Sequence, residues 1–115
     1  GMRLAVLTNK PHERGIETVE AVYGAGYFSF ILGEQEGMPK KPDPTGVFRV
    51  LKALDQDPAR CLYMGDTNTD MQTALNAGLD AAGAAWGFRS REELAAYHPK
   101  YLADHPLEIA KMLGI

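Results

Sequence analysis

Short continuous apolar runs alternate with segments whose apolar residues recur every three or four positions, a pattern that predicts an α/β fold with a parallel sheet. Leu4 to Leu7 is such a run, too short for a helix and consistent with a strand covered on both faces. From His12 to about Ala25, the residues Ile16, Val19, Val22 and Tyr23 fall on one helical face, and Gly24 and Gly26 stop the helix. Phe28 to Leu32 reads as the next strand. Gly33 to Pro44, with two glycines and three prolines, reads as a surface loop. Pro44 suits a first helical turn and opens a helix whose buried face is Val47, Phe48, Leu51 and Leu54.

The second half repeats the alternation. Asp57-Pro58 turns the chain into a strand from Arg60 to Met64, followed by a helix from about Asp70 to Ala77 that Gly78 closes. Leu79 to Ala85 reads as a strand of weak propensity because it is rich in alanine. Ser90, with Glu93 three residues on, caps a helix running to Tyr97. A strand at Tyr101 to Ala103 and a helix from Pro106 to Leu113 complete the pattern.

At 115 residues the chain is expected to form a single domain. Its 45% hydrophobic and 23% charged residues are those of a globular protein, and the formal charge of −3 provides no basic field for nucleic acid or anionic membrane. No apolar run approaches the length of a bilayer span. The single cysteine, Cys61, has no internal partner for a disulfide; read as a reduced core thiol, it points to the cytoplasm. Gly1-Met2 reads either as a glycine added before an initiator methionine or as the interior of a longer chain.

Chemistry concentrates in three places. Met64-Gly65-Asp66-Thr67-Asn68-Thr69-Asp70 follows the apolar Cys61-Leu62-Tyr63, so two acids sit between a strand end and a helix start. Carboxylate oxygens there suit Mg²⁺, which takes one or two from protein and fills its other positions with water and phosphate. Taken alone, Thr67-x-x-Asp70 is equally a capping box. Thr8, at the end of the first strand, can offer its hydroxyl, and Asn9 its amide, to a phosphate oxygen; the alternative is that Thr8 caps the next helix. Lys41, stiffened by neighbouring prolines, can place a point charge against a phosphate, although adjacent Lys40 and Lys41 also read as an ordinary surface pair. Lys10, His12, His98, His105, Trp86, Phe88, Tyr23 and Tyr27 are read as surface, rim or packing residues.

Together, Leu4-Ala5-Val6-Leu7-Thr8-Asn9, Lys40-Lys41-Pro42-Asp43-Pro44, the Asp66 to Asp70 segment and Ala77-Gly78 resemble the haloacid dehalogenase (HAD) superfamily, on its phosphoglycolate phosphatase side. The resemblance implies a HAD-like three-layer Rossmann-type core with a parallel sheet, lacking the first strand and the cap domain. It also implies Mg²⁺ as cofactor, held by Asp66 and Asp70, with Thr8, Asn9 and Lys41 on the phosphoryl group and Lys41 in a catalytic role. The implied substrate is a small phosphorylated metabolite.

The same resemblance exposes an absence: nowhere do these residues contain the Asp-x-Asp-Gly-Thr strand end that carries the family's nucleophile. The chain is therefore expected to be inert by itself. The absent strand would lie between the strands ending at Thr8 and Met64, and open strand edges invite pairing. A homo-oligomer, or a partner segment completing the sheet, follows as an expectation. Two other readings stay open: a non-catalytic module that binds phosphate and metal, and one half of a split phosphatase. A receiver-like signalling domain fits poorly, because Thr8 precedes the acids.

Overall fold

The computed structural model describes residues 2–114 and divides into two compact units at Asp57/Pro58. The reading of Gly1 lies outside the described residues.

The first unit contains β1 (Ala5–Pro11), α1 (His12–Tyr23), β2 (Phe30–Glu34) and α2 (Thr45–Leu54). β1 and β2 pair in parallel, with Ala5 opposite Phe30 and Leu7 opposite Leu32, and the register shifts between Leu7 and Pro11. β2 lies two residues later than the pattern predicts. Tyr23, Tyr27 and Phe28 pack their rings against one another instead of extending the strand, at centroid separations of 5.1 to 5.3 Å. Tyr23 and Val22, read on the apolar face of α1, are exposed. Gly33 belongs to the strand and not to the loop. A Cβ there would stand 2.5 Å from the His12 Cα, so glycine is what lets the start of α1 approach β2.

α2 buries Gly46, Val47, Leu51 and Leu54, whereas Phe48 is 48% exposed. Positions 47, 51 and 54 lie on one stripe, and position 48 is about 100° away around the helix. The expectation of a buried Phe48 is therefore corrected. Asp43 starts the helix: one carboxylate oxygen accepts from the Thr45 amide at 2.8 Å and the Thr45 hydroxyl at 2.6 Å. Those two bonds hold the Asp43 carboxyl below its usual pKa.

The second unit contains a 3₁₀ turn (Pro58–Arg60), then β3 (Leu62–Gly65), α3 (Asn68–Ala77), β4 (Asp80–Ala84), α4 (Arg91–Ala95), β5 (Tyr101–Ala103) and α5 (Pro106–Leu113). Its parallel sheet has the order β3-β4-β5. Ala81 joins Met71, Ala74 and Leu94 in one cluster, while its neighbour Ala82 joins Ala103 and Ile109 in another. Successive strand residues face opposite sides, so α3 and α4 cover one face and α5 the other. The alanines that weaken β4 by propensity allow this close cover from both sides. Cys61 is half-buried. Among the described residues, β1 has β2 as its one strand neighbour and β3 has β4.

Tyr63, on β3, packs against the first cluster and donates from its hydroxyl to Asp70 Oδ1 at 3.3 Å. Burial pushes its pKa above the ordinary tyrosine value, and the Asp70 charge and hydrogen bond push it further. The folded state thus holds this proton more tightly than the unfolded chain. The stabilisation is complete below the ordinary tyrosine pKa of about 10 and declines as pH rises beyond it. Urea midpoints at pH about 8 and about 11 should fall further in the parent chain than in Tyr63→Phe, since tyrosines ionise near 10. Equal losses in the two proteins would contradict this account of Tyr63.

Candidate functional site

In the first unit, the carboxyl end of β1 meets the loop before α2. The Lys41 amide donates to Asn9 Oδ1 at 3.1 Å, and the Asn9 Nδ2 donates back to the Lys41 carbonyl at 3.5 Å. The Asn9 side chain therefore pairs with the Lys41 backbone much as a neighbouring strand would. Thr8 lies midway along β1 and not at its end as expected, just past Leu7 where the regular pairing with β2 stops, and its Oγ1 accepts from the Lys10 amide at 3.2 Å. As that bond uses Thr8 as an acceptor, its hydroxyl proton remains available for an acceptor such as a phosphate oxygen. Lys40 pairs with Glu34 at 3.5 Å on the surface. Thus Thr8 and Asn9 on one segment and Lys41 on another are joined in this unit through the Asn9–Lys41 pair.

Of the surface or structural roles expected of His12, the structure shows the structural one. Its Nδ1 accepts from the Gly33 amide at 3.0 Å, tying the first residue of α1 to β2. An acceptor Nδ1 leaves Nε2 as the protonated nitrogen of the neutral ring. The sequence carried one signal for this contact, a glycine inside an apolar run.

In the second unit, the turn from β3 to α3 is organised around Asp70, which is 7% exposed. Its Oδ2 accepts from the Asp66 amide at 3.1 Å and the Thr67 hydroxyl at 3.0 Å, and its Oδ1 accepts from Tyr63. The Asp70 amide returns a bond to Thr67 Oγ1 at 3.2 Å. Half of the expected capping box is present: Thr67 caps the Asp70 amide, while the Asp70 carboxylate reaches back to the Asp66 amide instead of the Thr67 amide. A Cβ on Gly65 would collide with the Asp70 carboxyl group. The glycine therefore makes room for a side chain of this chain.

Asp66 is half-buried and held by the loop after β4. The Phe88 amide donates to Asp66 Oδ2 at 3.1 Å, and the Arg89 amide donates to the Asp66 carbonyl at 3.1 Å. Asp66 Oδ1 accepts no hydrogen bond from the described residues. Between the two acids, Asn68 Oδ1 is cut off from solvent without a hydrogen-bond partner. These are hard oxygen donors, and an orphaned buried oxygen beside them is what a site for a cation or its bound water offers. No group of three or more His, Cys, Asp or Glu residues arranged to hold a metal occurs among the described residues. Two carboxylates are nevertheless enough for Mg²⁺.

Comparison with known proteins locates this architecture. The family model described as haloacid dehalogenase-like hydrolase matches residues 1–84. A phosphoglycolate phosphatase of Aquifex aeolicus is 32% identical over 113 residues, which are 98% of this chain and 52% of that protein. One from Salmonella paratyphi A is 30% identical over 115 residues and is covered to 46% of its length. A crystal structure described as a phosphoglycolate phosphatase from Lactobacillus delbrueckii subsp. bulgaricus superposes with a TM-score of 0.92 at 34% identity, over 98% of this chain and 47% of that one. The chain thus spans about half the length of the relatives it matches. No helix among the described residues is long and apolar enough to cross a membrane. By the family model that covers most of its length, the chain belongs to the haloacid dehalogenase-like hydrolases.

Proposed function

We propose that this chain carries the phosphate-gripping and cation-holding portion of a phosphatase acting on a small phosphomonoester of the phosphoglycolate type. The observation that carries the reading is the reciprocal Asn9–Lys41 pair, which anchors the basic loop beside the strand that bears Thr8. In this reading the Thr8 hydroxyl and Asn9 amide donate to phosphoryl oxygens, and Lys41 offsets their charge. Within the second unit, Asp66 and Asp70 would hold Mg²⁺, a cation whose chemistry is to offset phosphate charge. Positioning and charge neutralisation are the larger share of what phosphoryl transfer requires.

The remaining requirement is an acceptor. None of the aspartates stands in an Asp-x-Asp-Gly-Thr context, so the chain by itself binds phosphate and cation without turnover. The open edges of β1 and β3 support a strand supplied by a second copy or another polypeptide. A single reduced thiol fits a cytoplasmic setting.

Titration calorimetry with orthophosphate in the presence of Mg²⁺ should show binding that weakens at least about 10-fold in Lys41→Ala, the equivalent of one charge-assisted contact. Hydrolysis of an aryl phosphate should be absent. Failure to bind orthophosphate would reject the phosphate site, and Mg²⁺-dependent hydrolysis abolished in Asp66→Ala would reject the claim of inertness. In size-exclusion chromatography with light scattering, the same material should exceed the 12.6 kDa of one chain or gain mass with a partner segment. A stable monomer that takes up no segment would count against the open-edge reading.

A further inference from the structure

The geometry points to Gly87 as a positioning residue for the cation site, acting through Asp66. This inference rests on the reading of Asp66 as a cation ligand. Gly87 is distant from Asp66 in sequence and lies in the loop between β4 and α4, after the turn in which its amide donates to the Ala84 carbonyl at 3.2 Å. An added Cβ would collide with Asp66 Cβ and with Asp66 Oδ2. Gly87 has no positive backbone φ angle, so its requirement for glycine is one of space and not of backbone conformation.

That space allows two backbone donors to reach one residue. The Phe88 amide takes Asp66 Oδ2 at 3.1 Å, and the Arg89 amide takes the Asp66 carbonyl at 3.1 Å. With the Asp66 amide already committed to Asp70 at 3.1 Å, the residue is fixed through its amide, its carbonyl and one carboxylate oxygen. Oδ1 is left as the oxygen that can bind a cation without breaking a bond within the protein. An amide donor on Oδ2 sets the plane of the carboxylate, as outer partners of metal ligands commonly do. The Phe88 side chain has no part in this: it is 75% exposed and lies under the Arg89 guanidinium, 4.9 Å from the ring centroid. The loop therefore acts through its backbone, and Gly87 sets how closely that backbone approaches.

Mn²⁺ and Mg²⁺ titrations of the whole chain, read by electron paramagnetic resonance of Mn²⁺ and by ¹H–¹⁵N spectra, test this. Gly87→Ala should weaken Mn²⁺ binding by about 10-fold or more, the range found for outer partners of metal ligands. The clash should also lower its thermal midpoint without cation, so affinity is compared at a temperature where both proteins are folded. Phe88→Ala, which retains the amide and removes the ring, should bind as the parent does. In the parent, the Phe88 and Arg89 amides should shift on adding Mg²⁺, a response that a purely structural glycine would not produce. If Gly87→Ala fails to fold, these amide shifts decide. Parent-like Mn²⁺ affinity in Gly87→Ala, or Phe88 and Arg89 amides that do not move while Mg²⁺ binds, would overturn the role of Gly87. A parent chain that binds neither cation would instead overturn the cation site itself.

Discussion

A carboxylate placed where a glycine leaves room organises the second unit of this protein. Asp70 fills the space beside Gly65 and accepts three donors, from the Asp66 amide, the Thr67 hydroxyl and the Tyr63 hydroxyl. Each bond does a different job. Thr67 caps the start of α3, Tyr63 ties the turn to the apolar cluster beneath it, and the Asp66 amide fixes the residue whose carboxylate faces the proposed ligand chemistry. Hydrogen bonds to a charged group contribute about 1.5–3 kcal/mol each, and more is lost when a buried charge is left without them. These bonds hold the turn in place around the proposed metal ligand.

The first unit reaches a similar result by different means. There a neutral amide side chain, Asn9, pairs with the backbone of Lys41. His12 performs a comparable service between α1 and β2 through Gly33. In both units a polar side chain completes the hydrogen bonding of a backbone segment from a neighbouring element, and a glycine allows the approach. Neither contact needs a large apolar core, which suits short elements of few strands.

The sequence made the order and type of the elements readable because short continuous apolar runs alternate with segments of period near 3.6. The ends of α2, α3 and α5 followed from Pro44, Gly78 and Pro106, whose backbone chemistry is local. β2 was misplaced by two residues because Tyr27 and Phe28 satisfy strand propensity yet stack with Tyr23 instead. Phe48 was misjudged because four apolar residues in a helix do not by themselves fix which edge of the stripe meets the sheet. Among chemical residues, Asp66 and Asp70 were singled out by their spacing after an apolar strand, and Thr8 and Lys41 by the family resemblance. The contacts of Gly87 and Phe88 with Asp66 cross more than 20 residues, and those of Asn9 with Lys41 cross 32, distances over which a sequence carries no periodic signal.

The claim that the buried Asp70 carboxylate shapes the Asp66 turn for a cation is tested most directly without altering either acid. Gly65→Ala puts a methyl group where Asp70 now lies, and Mg²⁺ affinity can be measured by titration calorimetry beside the parent chain. The account predicts an affinity lower by about 10-fold or more with the circular dichroism spectrum retained, as expected when the support of a metal ligand is displaced. An unchanged affinity in a folded Gly65→Ala protein would contradict it.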